Sequence, residues 1–121
     1  MGLIENFISV LKNFRNFSGR ARRREFWLFY LCFAIINVVF QVLGAIPGIG
    51  SIFGIIGGLV SLVLLLPSIA VAIRRLHDIG RKGIFLLFFL VPLVGQILLI
   101  IWWVKEGDSG PNSFGPDPKA A

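Results

Sequence analysis

The residues best equipped for chemistry sit in one short stretch, RRLHDIG, residues 74–80, which holds two arginines, the sole histidine and an aspartate. His77 and Asp78 are the residue types of a general base and its orienting carboxylate. Two features count against that use. Neighbours on a helix point in different directions, so an imidazole and a carboxylate one residue apart couple poorly. No serine adjoins the pair, and Cys32 lies far away in an apolar run, so a nucleophile is missing. A metal centre wants several His, Cys or carboxylate ligands, and one histidine does not suffice. No enzyme activity, cofactor or metal is therefore expected. Asp78 is better suited to meet Arg74, one turn back, and to bridge to basic residues of the N-terminal segment.

The elements that position this stretch are greasy. Of 121 residues, 56% are hydrophobic and 15% charged, against roughly 45–50% apolar in soluble domains. Residues 26–73 contain no Asp, Glu, Lys, Arg or His, and neither do residues 84–104. As one helix the first run would reach about 70 Å, more than twice a hydrocarbon core of about 30 Å. It must turn, and IPGIGS at 46–51 supplies the breakers. Transmembrane helices are expected over 26–46, 51–73 and 84–104. Three such runs leave too little polar surface for a soluble fold. A cleaved leader is not expected, because the first apolar run exceeds an h-region and follows a charged segment. Cys32, the one cysteine, lies inside the first span and forms no disulfide within the chain.

Residues 3–17 put Leu3, Ile4, Phe7, Ile8, Leu11 and Phe14 at helical spacing, with Glu5, Ser9, Lys12, Asn13 and Asn16 opposite. This is an amphipathic helix expected to lie in the membrane interface. The tail, 105–121, is rich in Pro and Gly, with Phe114 as its large apolar anchor. Lys and Arg near span ends set orientation. Residues 1–25 carry Lys12, Arg15, Arg20, Arg22, Arg23 and Arg24; residues 47–50 carry none; residues 74–83 carry Arg74, Arg75, Arg81 and Lys82. In the tail, Lys105 and Lys119 are set against Glu106, Asp108 and Asp117. The expected topology puts the N-terminus and RRLHDIGRKG inside, with PGIG and the tail outside. Trp27 and Tyr30 would then mark one aromatic belt, and Trp102 and Trp103 the other.

Arg20, Arg22, Arg23 and Arg24 should meet Arg74, Arg75, Arg81 and Lys82 at one membrane plane, with Glu25 and Asp78 among them. Each basic residue near an anionic surface gains about 1 kcal/mol. The arginines of this set, together with His77 and Asp78, form the candidate site for anionic headgroups or a partner protein; setting topology is their plainer use. The net charge of +6 does not point to nucleic acid, because the basic residues are held at the bilayer. Gly50, Gly54 and Gly58 make a small-residue stripe suited to close helix packing, within the chain, in a homo-oligomer or against another membrane protein. Asn37, Gln41 and Gln96 are expected to bond across helices, and Pro67 and Pro92 to kink them. The spans hold no ionisable residue, which disfavours a coupled transporter built from one chain. An oligomeric small-solute or ion pathway is the alternative.

Three segments occur in order: FSGRARRREFW at 17–27, RRLHDIGRKG at 74–83 and GPNSFGPDP at 110–118. Together they resemble the YhaH-like family of small bacterial inner-membrane proteins, domain of unknown function 805. The resemblance covers about residues 10–118. It implies a bacterial inner-membrane location and three or so helices, and no enzyme activity, cofactor or catalytic residue. The expectation is thus a single all-α integral membrane domain over 1–121: an interfacial helix, three transmembrane helices and a Pro/Gly-rich tail. Its expected role is that of a non-enzymatic scaffold, or of a partner- or anionic-lipid-binding protein.

Overall fold

A computed structural model describes residues 2–118, whose regular elements are all helices, with no strand among them; Lys119, counted among the tail's charges, lies outside them. Helices α2 (Arg23–Gly44) and α3 (Gly50–Asp78) pack as a long hairpin. The turn between them uses Gly48 at φ 89°, a backbone state open to glycine at no steric cost. Gly50 is needed for a different reason, since a Cβ there would collide with the Gly44 carbonyl. With 29 residues α3 is about 43 Å long. Its last turns, bearing Arg74–Asp78, therefore need not enter a core of about 30 Å.

These two helices are long and apolar enough to cross a membrane. Their outward faces are apolar as well: Ile35, Val38 and Val42 on α2, and Ile55, Leu62 and Val63 on α3, are exposed. A core helix of a soluble protein would bury such side chains; an apolar surface this continuous belongs against lipid. The well-packed core lies at the charged end, where Val10, Ala21, Phe26, Phe29, Val71 and Ala72 are buried together.

Helix α1 (Leu3–Lys12) contributes to that core and stops earlier than the amphipathic pattern, with Asn13 turning its side chain back to the Ser9 carbonyl at 2.8 Å. Its apolar stripe is divided. Phe7 stacks on Phe29 at 5.4 Å and Leu11 packs inward, whereas Ile4 and Ile8 stay exposed. Asn6, on the same inner side, is buried and donates to the Glu25 carbonyl at 3.0 Å.

Residues 84–104, expected as one span, fold back on themselves. A 3₁₀ helix, Gly83–Leu90, and α4, Val94–Val104, are the two arms. Eight residues rising about 2.0 Å each and eleven rising about 1.5 Å each both reach about 16 Å, half the depth of a core. Pro92 is the main cause: it lacks an N–H and disfavours the helical region for Val91, which is extended at φ −87° and ψ 109°. The chain then reverses in a γ-turn of the rare positive-φ kind. Leu93 has φ 64° and ψ −61°, and the Val94 N–H donates to the Pro92 carbonyl at 2.8 Å. A Cβ at Gly95 would strike the Phe88 carbonyl. Gln96 closes the turn, its Oε1 accepting from the Leu93 N–H at 3.1 Å and its Nε2 donating to the Phe89 carbonyl at 3.0 Å. Gln96 thus acts inside the hairpin rather than between spans. Pro92 ends a helix, while Pro67 sits inside an uninterrupted α3.

The reversal overturns two expectations. The tail lies at the same end of the α2–α3 hairpin as the N-terminal segment and the 74–80 turn, not at the opposite end. The two aromatic groups expected at opposite interfaces also meet. Trp27 Nε1 donates to the Trp103 carbonyl at 3.3 Å, and the Phe26 ring lies 4.9 Å from that of Trp103.

Candidate functional site

At its C-terminus α3 closes with the Gly80 N–H donating to the His77 carbonyl and the Arg81 N–H to the Leu76 carbonyl, the paired bonds of a Schellman cap. Gly80 takes the required positive φ of 77°. This cap fixes Asp78, which has no exposed surface, between two guanidiniums. Arg20 Nε donates to Asp78 Oδ1 at 3.0 Å and Arg75 Nη1 to Asp78 Oδ2 at 2.8 Å. Every nitrogen of Arg20 is engaged: Nη1 donates to the carbonyls of Gly110 (2.7 Å) and Gly115 (3.2 Å), and Nη2 to that of Asp108 (2.6 Å). The tail approaches closely because residue 107 is glycine; a Cβ there would overlap the Asp78 carboxylate. One residue on, the Asp108 N–H donates to the Asp78 carbonyl at 2.7 Å.

Arg75 binds the returning hairpin as well. Its Nε donates to the Trp103 carbonyl at 3.1 Å and its Nη2 to the Lys105 carbonyl, while Arg23 Nη1 donates to the Val104 carbonyl at 3.2 Å. These are carbonyls at the end of α4 that lack helical donors, and cations are favoured there. Burial pushes the Arg75 guanidinium below its ordinary pKa and the nearby Arg23 charge adds to this, while Asp78 pulls it back up.

The neighbouring residues face elsewhere. Asp78 was expected to meet Arg74, but it pairs one position closer, with Arg75, and Arg74 Nη1 donates instead to Glu25 Oε2 at 2.6 Å. Successive residues are turned about 100° on a helix, so Arg74 faces the N-terminal segment and Arg75 faces α4. Arg74 Nε and Nη2 are buried with no hydrogen-bond partner. His77 turns from Asp78: its Nδ1 lies 2.9 Å from the Gly19 carbonyl, to which it must donate, and Phe114 covers its ring at 4.1 Å with the planes 2° apart. Asn112 aims that phenylalanine, its Oδ1 accepting from the Phe114 N–H at 2.9 Å and its Nδ2 donating to the His77 carbonyl at 2.9 Å. Among the described residues no three His, Cys, Asp or Glu cluster as a metal site.

The nine residues marked by sequence as one headgroup or partner site therefore divide. Arg20, Arg74, Arg75, His77 and Asp78 are buried in a structural knot. Arg22, Arg23 and Arg24 are exposed and border a cavity of about 220 Å³ with Asp78 and Gly107. Arg81 lies over the Trp102 ring at 4.3 Å. The glycine stripe divides too. Gly50 touches Gly44, but a Cβ at Gly54 or Gly58 would meet nothing, and it is Gly57 that presses on Phe40. Gly107 and Asn112 were not singled out by sequence, and Asp108 was counted only as a tail charge. Their signal was the turn chemistry of the tail, which gives no address for what the turn binds.

The knot gathers one piece from each of the three sequence segments, and a family model described as protein of unknown function (DUF805) matches residues 14–116. The chain belongs to the DUF805 family. The match begins after α1 and takes in both ends of the knot. Among similar proteins, inner membrane protein YhaI of Escherichia coli strain K12 is 44% identical over 113 residues, covering 93% of this chain and 94% of YhaI. Inner membrane protein YhaH of the same strain is 39% identical over 115 residues, 93% of this chain and 95% of YhaH. YiiR, also of that strain, is 37% identical over 94 residues, 76% of this chain and 60% of its own length. No solved structure matches.

Proposed function

We propose that this DUF805 protein is an inner-membrane scaffold without enzymatic activity, seated on anionic lipid by the arginines outside the knot. In this reading α2 and α3 cross the bilayer, the 84–104 hairpin enters to half depth, and both chain ends lie in the cytoplasm. The positive-inside rule supports the orientation, since the basic residues of the N-terminal segment and the 74–83 turn are at one end and residues 45–49 carry none. YhaI and YhaH, named as inner membrane proteins, support the location.

The exposure of Arg22, Arg23 and Arg24 carries the proposal. Arg20, Arg74 and Arg75 spend their charge on Asp78 and Glu25 inside the fold. Arg22, Arg23 and Arg24 are exposed beside the expected headgroup plane, where an anionic surface attracts each by about 1 kcal/mol. The test is lipid retention from nanodiscs of mixed phosphatidylglycerol and phosphatidylcholine. Phosphatidylglycerol should be enriched among lipids kept by the wild type, and the enrichment should vanish when Arg22, Arg23 and Arg24 are changed to Gln. Equal retention by that variant would defeat the proposal.

Self-association is a second reading, favoured by the open surface over Gly54 and Gly58 beside Asn37 and Gln41. Gly54→Leu should then reduce oligomer size in detergent, and an unchanged size would remove this face as the interface.

A further inference from the structure

A cavity of about 500 Å³ opens between α2, α3 and the 3₁₀ arm of the hairpin, within the size range of small-molecule sites. Its walls include Phe33, Leu65, Ala72, Leu86 and Leu90, with Tyr30 and Trp103 at the charged end. The Tyr30 hydroxyl is already committed, donating to the Ser68 carbonyl at 3.0 Å. What is left is a slot lined almost wholly by carbon, walled by segments that face lipid in the proposed placement.

We infer that this cavity holds one acyl chain of an individually bound anionic phospholipid, whose phosphate lies against Arg22 and Arg23. The inference rests on the anionic-lipid reading above and adds to it a defined chain site. Charge complementarity and spacing select this occupant. Arg23 and Tyr30 stand seven residues apart on α2, hence on one face and about 10 Å apart along the axis. That offset suits a headgroup above and a chain below. Arg23 already reaches the Val104 carbonyl, next to Trp103 in the cavity wall. Asp78 also lines the cavity of Arg22, Arg23 and Arg24, but its charge is met by Arg20 and Arg75. Asp78 therefore does not cancel Arg22 and Arg23, which keep the rim cationic.

The occupant can be read out by Trp103 fluorescence in a Trp27→Phe, Trp102→Phe background, in detergent, with one equivalent of phospholipid carrying bromine on its acyl chains. Brominated phosphatidylglycerol should quench Trp103, and brominated phosphatidylcholine should not. Ser68→Leu, which fills the slot, should abolish the quenching while leaving phosphatidylglycerol enriched in the nanodisc assay. Leu87→Phe, at a more exposed part of the wall, should weaken quenching in the same sense without disturbing the core. Unaltered quenching in both variants, or equal quenching by the two lipids, would overturn the chain site and leave the scaffold reading standing. Loss of enrichment in the wild type would sink both.

Discussion

Burying a carboxylate between two guanidiniums is expensive, and removing one partner from such a group is more expensive still. Asp78 is in that position, with side-chain exposure of 0–1% for itself, Arg20 and Arg75. Asp78→Asn should lower stability by about 3–5 kcal/mol, read as a large fall in thermal midpoint by circular dichroism in detergent. An unchanged midpoint would mean that the triad does not hold the fold. Arg20→Lys should also be destabilising, because one ammonium cannot reach Asp78 and the carbonyls of Asp108, Gly110 and Gly115 together. Gly107→Ala should loosen the tail through a different cause, the clash of its Cβ with the same carboxylate. The charges of this site were legible in the sequence. Their pairing was not, because Arg74 and Arg75 are chemically alike and only the packing of α3 decides which one faces inward.

Among the elements, the hairpin of residues 83–104 departs most from its periodicity. Its composition is that of a membrane helix, and its length suits a single crossing. Two local features redirect it: Pro92 denies a helical N–H, and Gly95 admits the Phe88 carbonyl. Leu93 carries the strain of the reversal, a cost of about 1–3 kcal/mol for such a backbone state. Leu93→Gly should relieve more than glycine's extra unfolded entropy takes back, raising stability by about 1 kcal/mol. Equilibrium unfolding in mixed micelles checks this, and a loss of stability would show that the leucine side chain matters more than its backbone. Gly95→Ala should be destabilising in the same assay. Helix α1 is a milder case: its amphipathic stripe was plain, but the stripe does not say that Phe7 meets protein and Ile8 does not.

At the scale of the whole molecule, the fold-back of residues 83–104 changes the parity of the chain in the proposed placement. With the third run turning back, the tail returns to the end from which the N-terminal segment enters. A green fluorescent protein fused after residue 121 should therefore fluoresce, and alkaline phosphatase at the same point should stay inactive; the reverse pattern would restore a third crossing. Cutting the chain after residue 106 should expose Arg20 and Asp78 and make α3 accessible to protease at its charged end, whereas an intact tail protects it. By itself, the sequence determined that this is a helical membrane chain, where its apolar runs lie, and that its arginines stand at their edges. Those conclusions depend only on composition and length, because transfer from water to hydrocarbon adds up residue by residue. Only tertiary packing decided that the third run folds back, at which end of the α2–α3 hairpin the tail lies, and the partner of each buried arginine. Those depend on which surfaces meet, and a carbonyl of the tail becomes the ligand of Arg20 only once the hairpin has brought it back.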